Sequence, residues 1–161
     1  MRLTARVFGI NAFCYLLVFF GFTYCPDVCP VTLTEISYVL DMLGAEAEKI
    51  TPAFITVDPE RDTPEYLKEY LLHFHPRIVG LTGTTEQVKA AVKAYKIYAT
   101  KAPEPTHAHE NEAEAAEPHN HDYVMEHQAF VFLMGPDGFY RAHFSGNTDA
   151  KTMAAKIREF L

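Results

Sequence analysis

The sequence contains no tryptophan and only three cysteines in 161 residues. A set that small and odd in number does not build a disulfide framework, and a chain of this length buries a core without such staples. The thiols are therefore free to do chemistry. Clustered cations are missing too. Fourteen Lys and Arg stand against 21 acids, giving a formal charge of −7, and no stretch gathers the basic residues that neutralising a phosphate backbone requires. This argues against nucleic acid as a partner. An uninterrupted apolar run is absent as well: Val7 to Phe22 is broken by Gly9 and Asn11, which makes it too short for a membrane span. Arg2 and Arg6 ahead of that run imitate a secretory leader, yet no small-residue cleavage site separates it from Cys25. The sequence thus offers no clear membrane anchor or export signal.

What is present is apolar enough, at 48%, to form one core, and one domain is expected over 1–161. Its acidity is localised. Glu104, Glu110, Glu112, Glu114, Glu117 and Asp122 fall within one Pro-, Ala- and His-bearing stretch that has no Lys or Arg, so the remainder is nearly neutral. That stretch, 103–122, has little to bury and reads as a mobile loop within the domain.

Tyr15 to Phe20 reads as a buried strand leading into "TYCPDVCP". After it, Leu33, Ile36, Leu40 and Leu43 recur at helical spacing and Gly44 stops the helix. Cys25 and Cys29 should therefore flank a helix amino terminus. "AFITV" (Ala53 to Val57) is a β-branched and aromatic run that reads as a strand. Thr63-Pro64-Glu65 opens a helix with a cap, a proline at its first position and an acid in its first turn. "RIVGLTG" (Arg77 to Gly83) reads as another strand, and Thr84 to Tyr95 as a Thr-capped helix. "HQAFVFLM" and "FYRAHFSG" flank the turn "GPDG". A last helix carries Met153, Ile157 and Phe160, with Asn147 or Thr148 as its cap. Strands alternating with helices, then a hairpin and a helix, give a three-layer α/β fold.

Cys25 and Cys29 lie at a strand end and a helix start, where unpaired backbone N–H groups favour thiolate, which is both a nucleophile and a soft-metal ligand. Their spacing places both sulfurs on one helical face, close enough for a disulfide or for chelation of one ion. Redox exchange and metal binding are rival uses of the pair. Cys14, alone in an apolar run, reads as a small buried hydrophobe. Of the histidines, His127 precedes the strong apolar strand Ala129 to Met134 and would be held on a rigid element. His73 and His75 close an exposed helix, and His143 alternates with apolar neighbours as a structural residue. Two thiolates and an imidazole suit copper, with sulfur favouring Cu(I) and imidazole allowing Cu(II), although zinc is also open to such ligands.

Four blocks in order, "FGFTYCPDVCP", "DPERDTPE" (Asp58 to Glu65), "GLTGT" (Gly80 to Thr84) and "DYVMEHQAFVFLMGPDGFY" (Asp122 to Tyr140), resemble the Sco/SenC family of copper-binding, thioredoxin-like proteins. The resemblance covers roughly Tyr15 to Leu161. It implies a thioredoxin-like three-layer sandwich around a central mixed sheet, with Cys25, Cys29 and His127 binding copper as Cu(I) or Cu(II). Asp58 would lie behind the metal or simply form a turn with Pro59. The implied function is that of a metallochaperone for the CuA centre of cytochrome c oxidase, the partner being the CuA-bearing subunit or another copper protein. The alternative is a thiol-disulfide oxidoreductase that keeps partner cysteines reduced, with Cys25 and Cys29 as a redox pair able to form a disulfide. General thioredoxin-like reductases carry a proline where this chain has Glu126-His127-Gln128, which disfavours broad turnover. The implied compartment is the periplasm or the mitochondrial intermembrane space, in membrane association.

The sequence departs from that family in two places. Only a short segment precedes Cys25, so the family's amino-terminal hairpin and anchor are expected to be missing. The loop Thr106 to Asp122 also adds two His-X-His pairs, His107 with His109 and His119 with His121. These read either as a low-affinity metal-collecting segment or as a solvated insert.

Overall fold

A computed structural model describes residues 14–103 and 123–161. Along the chain these residues form β1 (Tyr15–Gly21), α1 (Val28–Leu43), a 3₁₀ turn (Gly44–Lys49), β2 (Ile50–Thr56), α2 (Pro64–Leu71), β3 (Val79–Leu81), α3 (Thr85–Tyr95), β4 (Ala99–Pro103), β5 (Tyr123–His127), β6 (Phe130–Met134), β7 (Tyr140–Ser145) and α4 (Ala150–Arg158). Five strands make one sheet in the order β3-β2-β1-β6-β7, and β4 pairs with β5 in a separate two-stranded ribbon. β1, β2 and β3 run parallel, while β6 and β7 are antiparallel to their neighbours. The sheet is therefore mixed, as expected, and β1 is its middle strand.

Period-two alternation assigns the faces. Leu17, Phe19 and Gly21 turn to the side where α1 and α4 pack together, burying Leu33, Ile36, Leu40, Met153 and Ile157. Val18 and Phe20 turn to the other side, where the Tyr95 ring of α3 stands edge-on to Phe20 at 5.0 Å and to Phe132 at 5.4 Å. Helices on both faces give the three layers. Phe19, Phe20 and Phe54 are wholly buried, each stabilising the fold by roughly 1.5–3 kcal/mol.

Local signals explain the helix boundaries. In α1 the buried positions Cys29, Leu33, Ile36, Leu40 and Leu43 form one stripe. The helix stops at Gly44, whose φ of 55° only glycine adopts readily and whose N–H returns to Leu40. Thr63 accepts the Tyr66 N–H at 3.2 Å with Pro64 beside it. Thr84 and Gln87 complete a reciprocal capping box.

Several expectations need correction. The cap of α4 is Asp149, whose carboxylate accepts the Thr152 N–H at 2.9 Å and its hydroxyl at 2.7 Å; the N–H of Thr148 is turned back to Ser145. β3 covers only Val79–Leu81 because it is an edge strand built around Gly80, where a β-carbon would meet Leu71 at 2.7 Å and Leu67 at 2.9 Å. Cys14 is only partly buried, with Sγ 3.8 Å from the Glu48 carbonyl. His127 does not start the strand of "HQAFVFLM": it ends β5, which pairs with β4 in a ribbon that the sequence reading assigned to no element, and Gln128-Ala129 separates it from β6. The Gln128 N–H bonds the Tyr98 carbonyl, closing the ribbon there.

Candidate metal centre

β1 delivers the cysteines from the centre of the sheet. Its last residue, Gly21, bonds the N–H of Val57, and the chain turns through Phe22, Thr23 and Tyr24 to Cys25 before α1 begins. Asp27 holds the cap position of α1 without capping it through its side chain. Instead, the Cys25 sulfur accepts the Cys29 N–H at 3.4 Å, taking one of the donors that a helix start leaves open. The thiol of Cys29 also donates to Cys25, and the N–H groups of Asp27 and Val28 point at the same sulfur. Together these bonds hold the Cys25 thiol down at about 6 despite partial burial. Cys29, fully buried, is driven the opposite way by its bond to Cys25 and by desolvation. One proton thus stays on Cys29 while half-buried Cys25 favours thiolate, and the two sulfurs are not joined in a disulfide.

Space for the buried sulfur comes from Gly21, where a β-carbon would stand 2.8 Å from Cys29 Sγ and 2.6 Å from the Phe54 ring. Reading the sequence alone missed this residue; a glycine ending an otherwise bulky strand was the available signal.

The Asp58-to-Asp62 turn braces the cysteine loop from behind. Asp58 is wholly buried, ion-paired with Arg61, and its N–H bonds the Thr56 hydroxyl at 2.9 Å. Asp62 hydrogen-bonds the cysteine loop from this turn, a role that sequence reasoning also missed. Its carboxylate accepts the Thr23 N–H at 3.2 Å and the hydroxyls of Thr23 and Thr56 at 2.5 Å each. Burial raises the Asp62 carboxyl above its ordinary range despite these bonds. Beside Cys25, the Tyr24 ring stacks on Tyr66 at 5.5 Å and lies 5.0 Å beneath the Arg61 guanidinium.

Of the remaining predicted ligands, the backbone of His127 is placed at the end of β5 opposite Ala99; its side chain lies outside the described residues. His107, His109, His119 and His121 also lie outside them. Among the described residues no third His, Cys, Asp or Glu joins the two sulfurs in a ligand set. His75 lies against the carboxyl-terminal half of α1, its N–H bonding the Ser37 hydroxyl at 3.0 Å and its Nδ1 accepting the Arg77 N–H. His143 packs on Phe130, and its Nδ1 is 2.7 Å from the Tyr140 hydroxyl; both serve the packing. The two sulfurs form a soft donor pair with one anionic member already present, which fits either a thiophilic ion or disulfide exchange.

Comparison with known proteins gives these features a context. The SCO2-like protein RC0895 of Rickettsia conorii is 36% identical over 142 residues, covering 88% of this chain and 63% of the relative. Protein SCO2, mitochondrial, of Saccharomyces cerevisiae is 40% identical over 146 residues, covering 90% of this chain and 44% of the relative. This chain thus spans less than two thirds of the length of either. The solved structure of Bradyrhizobium japonicum ScoI with copper bound superimposes with a TM-score of 0.76 at 38% identity, covering 92% of this chain and 85% of that one. The sequence model of SCO1/SenC matches residues 14–161, and the chain belongs to that family.

Proposed function

We propose that this chain is a copper carrier that assists assembly of the CuA centre of cytochrome c oxidase, with Cys25, Cys29 and His127 as the ligands. The observation that carries this reading is the sulfur pair just beyond the end of the middle strand, in which the Cys25 sulfur accepts the N–H of Cys29 at 3.4 Å, an arrangement that lowers the Cys25 thiol and favours its thiolate. A copper-bound relative with 38% identity supports the choice of ion. Cu(I) would replace the single proton shared by the two sulfurs, and His127 would add the imidazole that lets Cu(II) bind. Cys25, the more exposed sulfur, is where a thiolate of the receiving protein would first enter, so the metal would leave by ligand exchange at Cys25 while Cys29 holds it last. The receiving protein is the CuA-bearing subunit or another copper protein. The compartment is the intermembrane space or the bacterial periplasm, consistent with a mitochondrial relative.

Anaerobic titration of the chain with copper tests the reading. One tightly held copper per chain is expected, absent in Cys25→Ser/Cys29→Ser. His127→Ala is expected to lose Cu(II) while retaining Cu(I). Unchanged affinity in the double cysteine variant overturns the carrier reading, and unchanged Cu(II) affinity in His127→Ala removes His127 from the site.

The unequal protonation of the pair favours a second use. Thiolate Cys25 attacks a partner disulfide, forming a mixed disulfide and releasing one partner thiolate. Cys29 then gives up its proton and attacks Cys25, releasing the second partner thiol and leaving the Cys25–Cys29 disulfide. Failure of the reduced chain to reduce a model disulfide while still binding copper rejects this use.

A further inference from the structure

The ribbon that carries His127 is not part of the main sheet, and its attachment to the cysteine loop runs through a traceable set of contacts. On one side, Thr23 is fixed to Asp62 and Tyr24 lies under Arg61, so the Asp58-to-Asp62 turn moves with the cysteine loop. Glu60 projects from this turn between the fully buried Asp58 and Asp62. On the other side, Lys101 of β4 is paired with Met125 of β5, two residues before His127. Met125 is buried and anchors the ribbon's underside. Between the two sides, Lys101 Nζ meets Glu60 Oε2 at 2.6 Å, a contact between residues far apart in sequence.

We propose that Glu60 and Lys101 are positioning residues: an electrostatic latch that holds the histidine-bearing ribbon against the turn bracing the cysteine loop, and so sets how long Cu(II) stays bound. The inference rests on the copper reading above and adds to it a determinant of metal release outside the ligand set. Both side chains are substantially exposed, at 43% and 55%, so the pair is screened by salt and responds to a competing charge brought by a partner. Opening it frees one side of the site without disturbing the five-stranded sheet, since the ribbon's ladder is its own. Cu(I), held by the two sulfurs, is indifferent to the latch; Cu(II), which needs the imidazole, is not.

Charge reversal tests this in the full chain. Lys101→Glu and Glu60→Lys each place like charges together, and the double variant restores an opposite pair with its polarity inverted. Stopped-flow removal of Cu(II) by EDTA, followed at the thiolate-to-copper charge-transfer band, is expected to be up to about fivefold faster in each single variant. Wild-type rates are expected to return in the double variant, with Cu(I) affinity unchanged in all four proteins. Hydrogen exchange of the metal-free chain gives a copper-independent readout. The amides of 99–102 and 123–127 should exchange faster in the single variants and recover in the double, while those of β1 and β2 stay as in wild type. Equal Cu(II) release and equal ribbon exchange in all four proteins overturn the latch. A wild-type chain that takes up no copper overturns the metal reading, whereas the exchange pattern reports on the latch by itself.

Discussion

The backbone of Gly21 lies directly against the sulfur of Cys29, close enough that a β-carbon there would stand 2.8 Å from Sγ. Phe54 closes the same space from the other side at 2.6 Å. Neither neighbour has slack, since Cys29 and Phe54 are both wholly buried. Gly21→Ala is therefore expected to cost about 1–3 kcal/mol, the usual toll of overpacking, and to push the buried thiol toward solvent. Urea unfolding followed by circular dichroism measures the first effect, and thiol titration of the folded variant the second. A variant as stable as wild type with Cys29 still unreactive contradicts the packing described.

Asymmetric protonation predicts asymmetric reactivity. In a Cys14→Ser background, iodoacetamide should modify Cys25 with a rate that reaches half its maximum near pH 6, since thiolate dominates above that value. Cys29, which retains its proton, should stay unmodified until the chain unfolds. Peptide mass spectrometry after timed quenching distinguishes the two. Modification of Cys29 first, or a midpoint near that of an ordinary thiol, runs against the hydrogen-bond arrangement around Cys25.

Much of this was readable in the sequence, for identifiable reasons. Leu33, Ile36, Leu40 and Leu43 report a helical face because burial enforces the period, and Thr63 and Thr84 announce helix starts because their hydroxyls answer local backbone groups. The cysteine pair was legible because its spacing and its place between strand and helix are local properties. The ribbon was not: Ala, Lys and Pro in Ala99–Pro103 carry no strand preference, and the pairing arises from a partner far along the chain. Asp62 was hidden for the same reason, its role being set by Thr23 and Thr56. Gly21 did carry a local mark, a glycine ending a bulky strand, but not the neighbours Cys29 and Phe54 that require it.

Asp62 should behave as a brace whose charge is tolerated reluctantly. Removing it in Asp62→Ala strands the Thr23 N–H and two hydroxyls, and a loss of about 2–4 kcal/mol is expected after relief of the buried charge is counted. The pH response has a definite sign. Because burial raises the folded carboxyl above its unfolded value, the folded state takes up a proton first as pH falls, so wild type should gain stability relative to Asp62→Asn between the raised value and the ordinary carboxyl range. Denaturant midpoints measured across acidic pH follow this difference; a shift on acidification that favours Asp62→Asn over wild type contradicts it.

Tyr70 offers a contrast. Among the described residues its buried hydroxyl has no hydrogen-bond partner, and burial pushes its ionisation upward, so it stays protonated. The ring packs on Phe54 at 6.1 Å and Phe74 at 5.3 Å. Tyr70→Phe keeps those contacts and removes the stranded group, so a change between zero and a gain of about 1 kcal/mol is expected. Tyr70→Ala should lose about 3–5 kcal/mol. Calorimetric melting of both variants settles the point, and a Phe variant melting well below wild type would reveal a partner for the hydroxyl.

The ribbon has one more consequence, for how the chain can vary. Pro103 and Tyr123 are directly paired, so whatever joins them starts and finishes about 5 Å apart, clamped by the ladder and by buried Met125. Closing a segment between fixed, adjacent ends costs entropy that rises only with the logarithm of its length. The span 104–122 is thus an insertion port: residues can be added, deleted or exchanged for another charge pattern there at little thermodynamic penalty, while the strand ending at His127 keeps its register.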